Sequence, residues 1–210
     1  SVEWWGKGRG VSRIMRRTGQ SRGAQNPHTK GGRRAHGPKV EKNWGRKLNL
    51  KERRIARNSA LSATTSAEYV SARGHRFSED IDSLPIVLGN YAEVRDGKTE
   101  EFSIETFNHG SATRKVLAIF NEIGLGADLT RARDGRNIRA GKATMRGRVH
   151  KTPKSVLLVV KQKSGLAQAA RNLPGVDVVA ARDLCAEDLA PGGDIGRLTV
   201  FTKDALEDLN

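Results

Sequence analysis

The feature that most constrains this chain is the stretch from Gly6 to Lys47, GKGRGVSRIMRRTGQSRGAQNPHTKGGRRAHGPKVEKNWGRK. It is crowded with Arg, Lys and Gly. Its few apolar residues (Val11, Ile14, Met15, Val40, Trp44) follow neither a helical nor a strand period. A segment of that kind buries too little apolar surface to offset the entropy lost on ordering. The expectation is therefore a basic arm, residues 1–47, that stays extended and mobile alone in water and is ordered only by a dense polyanion. The remainder, residues 48–210, reads as a compact domain that carries it.

Charge is segregated in the same way. Net charge is +15 over 210 residues, with a pI near 10.5. Residues 1–57 hold 17 Lys+Arg against 3 Asp+Glu, a balance of +14, whereas 58–210 hold 21 against 20, a balance of +1. Within that second part, 131–154 has 9 Lys+Arg and only Asp134, a balance of +8. Two such blocks favour a nucleic-acid or anionic-surface partner. Arg outnumbers Lys in both, as bidentate phosphate contact and base stacking require. The candidate RNA contacts in the arm are Lys7, Arg9, Arg13, Arg16, Arg17, Arg22, Lys30, Arg33, Arg34, Lys39, Arg46 and Lys47. Arg53, Arg54 and Arg57 follow at the start of a helix, and Arg139, Lys142, Arg146, Arg148 and Lys151 lie in the second block. In that block Ile138, Ala140, Gly141, Ala143 and Met145 alternate with cations, the spacing of an extended loop along a phosphate backbone. The adjacent Trp4 and Trp5 have two open readings, stacking on a base or sugar and packing on protein.

The domain reads as α/β. Asn49 and Glu52 mark a helix start, and the helix is expected to run to about Ala72 and stop at Gly74. Buried strands are expected over Leu84–Leu88, Ser155–Val160, Val176–Ala180 and Leu198–Phe201. Ser111–Ile123 places Val116, Leu117, Phe120 and Ile123 on one helical stripe, and Leu166, Ala169, Ala170 and Leu173 form another, ended by Pro174-Gly175. Ala127–Thr130 reads as the start of a strand, Ala186–Leu189 as a short helix or turn, and Lys203–Leu209 as a closing helix. Strands separated by helices imply a mostly parallel sheet flanked by helices, a three-layer, Rossmann-like arrangement.

Chemistry is hard to find. Gly6-Lys7-Gly8-Arg9-Gly10 neither follows a strand nor opens a helix, and Gly124-Leu125-Gly126 and Gly192-Gly193-Asp194-Ile195-Gly196 are also misplaced for phosphate loops. The five histidines, His28, His36, His75, His109 and His150, are scattered without Cys or carboxylate at ligand spacing, so no metal is expected. Cys185 is the sole cysteine; between Leu184 and Ala186 it reads as a small packed residue. No run of about 18 apolar residues exists to span a membrane. Ser1–Trp5 has neither a charged nor an apolar leader region, and with no Met it is the start expected of a fragment or processed form. Two other readings stand beside an RNA-bound structural protein: a free RNA- or DNA-binding regulator, and an α/β enzyme with a basic tail.

Read together, several stretches resemble the universal large-subunit ribosomal protein L-four family in its archaeal and eukaryotic form. They are Trp5–Gly10 (WGKGRG) with Ser12-Arg13-Ile14, Gly31-Gly32-Arg33, Ala35–Lys39 (AHGPK), Arg57–Ala63 (RNSALSA) and Arg73–Arg76 (RGHR). Leu84–Val87 (LPIV), Ile138–Lys142 (IRAGK), Met145-Arg146, Arg171–Val176 (RNLPGV) and Leu189–Phe201 (LAPGGDIGRLTVF) continue in family order. The resemblance implies a cytoplasmic protein of the ribosome with no catalysis, no cofactor and no homo-oligomer. Its partners would be large-subunit ribosomal RNA and neighbouring large-subunit proteins at the nascent-peptide exit tunnel. By that resemblance the tunnel tip falls on Gly6, Lys7, Gly8 and Arg9, and the loop from Ala140 to Arg148 anchors the globular domain. Two departures stand out. The family places several dozen residues, a strand and a helix, ahead of the arm, where this sequence shows Ser1–Trp5; and Asn90–Gly110 is longer and more acidic, as a surface insertion would be.

Overall fold

The computed structural model describes residues 1–81, 83–89, 91–95, 98–102, 104–106 and 112–209, with the side chains of 91–95, 98–102 and 106 left out of that description. The chain divides into two units, Ser1–Lys47 and Leu48–Asn210.

In the first unit, strand β1 (Val2–Trp4) pairs antiparallel with β2 (Met15–Arg17), matching Val2 to Arg17, Glu3 to Arg16 and Trp4 to Met15. A bridge between Arg16 and Gly23, and a 2.8 Å bond from the Ala24 N–H to the Met15 carbonyl, bring the chain back along β2. Beyond it the Thr29 N–H donates to the Asn26 carbonyl and the Gly32 N–H to the Thr29 carbonyl. Gly32 is required there because a Cβ would strike the Asn26 carbonyl. The expectation of an arm with no structure of its own is thus corrected for its front two thirds. Three-residue strands are too short to show a period, and backbone hydrogen bonds order them rather than apolar burial. From Arg33 to Lys47 the correction does not apply: every residue is exposed and no helix or strand forms.

The second unit opens with α1 (Leu50–Ala63), which starts where Asn49 and Glu52 indicated, although the Asn49 side chain makes no capping bond. The single helix expected to Ala72 is broken. The Thr64 and Thr65 hydroxyls donate to the Leu61 and Ser62 carbonyls at 2.7 Å, ending α1, and α2 (Ala67–Ala72) restarts after Ser66. Hydroxyls that bond back to local carbonyls compete with the helical ladder in this way.

The main sheet is built from β3 (Ile86–Leu88), then, after a hairpin of β4 (Tyr91–Arg95) and β5 (Lys98–Phe102), from three later strands. Of the longer acidic segment, residues 90, 96, 97, 103 and 107–110 lie outside the described residues, as does Ser111 at the expected helix start. Helix α3 (Ala112–Glu122) buries Val116 and Phe120, but Leu117 is 38% exposed and leaves the expected stripe. Ala127–Thr130 is not a strand; it lies within α4 (Gly126–Asp134), where Leu125, Leu129 and Ala132 recur at helical spacing and are buried. A second hairpin follows, β6 (Asn137–Ile138) with β7 (His150–Lys151), and its connection includes a 3-10 segment, Gly141–Arg146.

Strand β8 (Leu157–Val160) comes next, then α5 (Gly165–Ala170), β9 (Asp177–Ala180), α6 (Ala186–Leu189), β10 (Thr199–Thr202) and α7 (Lys203–Glu207). The strands line up β3–β10–β8–β9, all parallel, with Val200 beside both Ile86 and Leu158 and Val160 beside Ala180. Alternate residues of β8, and Val156 just before it, serve opposite layers. Val156, Leu158 and Val160 pack with Val70, Val116, Phe120, Leu129 and Leu166, while Leu157 and Val159 pack with Ala60, Leu184, Leu189, Phe201 and Ala205. This double-faced burial explains the unbroken apolar run and makes the unit the expected three-layer α/β sandwich.

Candidate nucleic-acid interface

Several cations of the second unit are tied to the fold by ion pairs or carbonyl bonds. Arg197, fully buried, donates from Nε to the Ser155 carbonyl (3.1 Å), from Nη1 to the Asp188 carbonyl (2.9 Å) and from Nη2 to Asp177 (2.6 Å). Lys154 reaches the same Asp177 at 2.7 Å. Burial alone would raise the Asp177 carboxyl, but bonds from Lys154 and Arg197 and their charges hold it below the ordinary carboxylate value. Asp128, also buried, accepts from His75 Nδ1 (3.0 Å), the Arg76 N–H (3.0 Å) and Arg131 Nε (2.8 Å). Its desolvation, likewise the largest influence, is outweighed by those bonds, so its carboxyl also titrates low. Arg73 donates to the Pro191 and Asp194 carbonyls; desolvation lowers its own pKa. These contacts hold the strand ends and the 191–197 turn together.

The candidate RNA contacts are the opposite case. Among the described residues none of the twenty forms an ion pair with a carboxylate, and all but Arg16 and Arg57 are exposed. In the first unit, Trp5 gathers two of them, with the Arg9 guanidinium 4.6 Å and the Arg16 guanidinium 5.3 Å from its ring centre. Arg16 is spent inside the unit, donating to the Ser12 and Ser21 carbonyls. Arg33 donates to the Gln25 carbonyl at 3.2 Å, and the Arg22 guanidinium lies against Gly31. In the second unit, Arg53, Arg54 and Arg57 sit on the first turns of α1. The block at 131–154 is not an extended loop. Its ends turn inward through Arg131 and Lys154, while its hairpin carries Arg139, Lys142, Arg146, Arg148 and Lys151 outward. The tip also exposes Met145 (80%) and Ile138 (71%). Lys42 and Arg136, in the same basic blocks, are likewise exposed and have no carboxylate partner among the described residues; charge density alone does not rank cations inside a block.

A place for small-molecule chemistry is taken up. In open α/β sheets ligands sit at the carboxyl ends of the strands. Here buried Glu105 occupies that edge, accepting from the Lys161 N–H (2.6 Å), the Gln162 N–H (3.2 Å) and the Thr202 hydroxyl (2.6 Å). Among the described residues no three His, Cys, Asp or Glu side chains converge as metal ligands, and no helix is long and apolar enough to cross a membrane. Cys185 is exposed rather than packed. It precedes α6 and donates from Sγ to Asp188 at 3.0 Å; partial burial, then that bond, push its thiol pKa up.

Two blocks of exposed cations without carboxylate partners among the described residues, beside paired cations elsewhere in the second unit, are a charge arrangement suited to a polyanion. The match to known proteins agrees. All 210 residues, 1–210, fit the ribosomal protein L4/L1 family, and the chain belongs to that family. It is 42% identical over 209 residues to the large ribosomal subunit protein uL4 of Halobacterium salinarum, covering 100% of this chain and 76% of the relative. It is 47% identical over 205 residues to uL4 of Methanococcus maripaludis (98% and 75%) and 43% identical over 212 residues to uL4 of Methanopyrus kandleri (99% and 75%). Family membership makes the chain a structural ribosomal component of the cytoplasm and not an enzyme.

Proposed function

We propose that this chain is a constituent of the large ribosomal subunit that binds large-subunit ribosomal RNA through two sets of cations. One set lies in residues 1–47, the other on the start of α1 and on the β6–β7 hairpin. The observation that carries this reading is that, among the described residues, the twenty candidates have no carboxylate partner, whereas Arg131, Lys154 and Arg197 are paired with Asp128 and Asp177. Surface charge left unpaired on this scale repels itself unless a polyanion neutralises it. The relatives' names support the subunit assignment. The resemblance of Gly6–Arg9 to the family's tip supports a place for Gly6, Lys7, Gly8 and Arg9 at the wall of the exit tunnel, beside neighbouring large-subunit proteins. Reversing Arg13, Arg17, Arg34 and Lys39 to Glu together tests the reading. These four make no side-chain bond that the fold needs, so the variant is expected to fold and to be absent from large subunits on a sucrose gradient. Normal incorporation would refute it. A free regulator would instead wash from large subunits at high salt, where this protein is expected to stay.

A further inference from the structure

All three tryptophans of the chain, Trp4, Trp5 and Trp44, fall in the basic unit, and the α/β core uses none. They are not equivalent. Trp5 is half-buried, and its ring already serves the Arg9 and Arg16 guanidinium groups. Trp4 is 60% exposed and Trp44 63% exposed. Side chains alternate faces along a strand, so Trp4 shares a face of β1 with Val2, away from Glu3 and Trp5. The register Val2↔Arg17 and Trp4↔Met15 puts exposed Arg17 on that same outer face. Trp44 lies in the stretch without helix or strand, with the Lys42 ammonium 5.3 Å from its ring centre and exposed Arg46 two residues on. Arg17 thus flanks the Trp4 indole, while Lys42 sits over one face of the Trp44 ring and leaves the side chain largely exposed, unlike Trp5, which holds two guanidinium groups and is half-buried.

We infer that Trp4 and Trp44 are stacking platforms for unpaired nucleobases of RNA, and that Trp5 is an internal clamp for Arg9 and Arg16. The inference rests on the RNA-binding reading and names what the tryptophans add to it. Charge draws in the phosphate backbone of any strand, duplex or single. An open indole takes a base with a free face, one that has left its stack or closes a helix end, since bases inside a duplex are stacked on both sides. The flanking cations fit the phosphates on either side of such a base, and the same cations disfavour a basic protein segment as the occupant.

The test uses the full chain with two fluorescein-labelled probes, a single-stranded RNA of roughly 12 nucleotides, within the usual site sizes, and an RNA duplex of similar length whose two ends are closed by covalent non-nucleotide linkers capped with a stacked aromatic group. Trp4→Ala and Trp44→Ala are each expected to weaken single-strand binding roughly 5- to 150-fold, the range that loss of one base stack gives. Duplex affinity and the slope of log affinity against log salt stay as in the parent, because no phosphate contact is lost. Trp4→Phe and Trp44→Phe retain most of the single-strand affinity, and circular dichroism of each matches the parent. Alanine variants that bind the single strand within about twofold of the parent, or lose both probes equally, overturn the inference while leaving the RNA-binding reading intact. A parent chain that binds neither probe in a salt-dependent way overturns both.

Discussion

Neutralising the hairpin gives the sharpest quantitative test of the charge argument. Arg139, Lys142, Arg146, Arg148 and Lys151 are exposed and have no carboxylate partner, so their substitution by Gln subtracts charge without opening an ion pair. Each cation that neutralises a phosphate releases condensed counterions and contributes about 0.7 to 0.9 to the slope of log affinity against log salt. Five such contacts lower that slope by about 3.5 to 4.5. Between 50 and 200 mM salt, a fourfold change, the parent therefore loses about 130- to 500-fold more affinity than the variant. Fluorescence anisotropy with a large-subunit ribosomal RNA transcript, titrated at three or more salt concentrations, measures both slopes. Lys163 and Arg182 supply an internal control. Both are exposed but lie near carboxylates, Lys163 3.7 Å from Asp183 and Arg182 3.3 Å from Asp208. Their substitution by Gln is expected to leave the slope alone. A five-site variant whose slope shifts by less than one unit would refute the reasoning.

Three further outcomes concern the fold that presents those cations. Asp128 titrates below its unfolded value of about 3.9, so it stabilises the native state fully above that pH and loses the contribution as pH falls through its folded value. Asp128→Asn should therefore lower stability by about 3 kcal/mol at pH 7 and flatten the acid limb in urea titrations from pH 7 to pH 3; an unchanged acid limb argues against it. Gly196 has φ +83°, and a Cβ there would stand 2.5 Å from the Tyr69 carbonyl oxygen, so Gly196→Ala should cost about 2 kcal/mol or more by urea unfolding. Arg197→Met leaves the Ser155 and Asp188 carbonyls without their donor and should cost about 3 kcal/mol, whereas Arg182→Met on the surface should cost less than about 1 kcal/mol.

What the sequence revealed follows from how far each signal reaches along the chain. The run at Ser155–Val160 is apolar on both faces, and only a strand covered on both sides needs that, so the central strand and its three-layer setting were legible. The break between α1 and α2 was not, because Thr64 and Thr65 fit a helix by period and end it by hydrogen bonds to Leu61 and Ser62. Ala127–Thr130 was too short a window to distinguish a strand from the helix that Leu125, Leu129 and Ala132 define together. The β1–β2 pair was invisible for a similar reason, since three residues hold little more than one alternation. For the interface, sequence identified the basic blocks but not the partners of each cation. Charge density treats Arg131 and Arg139 alike; what separates them is Asp128, three residues before Arg131 on the same helix, a pairing that only the fold around Asp128 makes fixed and buried.

That difference also explains how a charged hairpin can be held steady before any RNA arrives. Its two ends are fastened to the core on both sides of the charge. Arg131 joins Asp128 and donates to the Lys154 carbonyl at 2.8 Å, and Lys154 joins Asp177, which Arg197 also holds. Close packing reinforces the base: a Cβ at Gly135 would stand 2.7 Å from the Pro153 ring, and Gly175, at φ +73°, lies against the Pro153 carbonyl. The two carboxylates at this base, Asp128 and Asp177, are already committed to Arg131, Lys154 and Arg197 and so do not draw the hairpin's cations inward. A base fixed in this way limits the ordering entropy lost when the tip meets a phosphate backbone, so more of the gross attraction survives as affinity. Breaking the fastening by Asp177→Asn is therefore expected to weaken RNA binding at low salt although no cation is removed, while the exposed Lys154 that it frees raises the salt slope by no more than about 0.9. Anisotropy titrations against the same transcript measure both, and an affinity equal to the parent's would refute the argument.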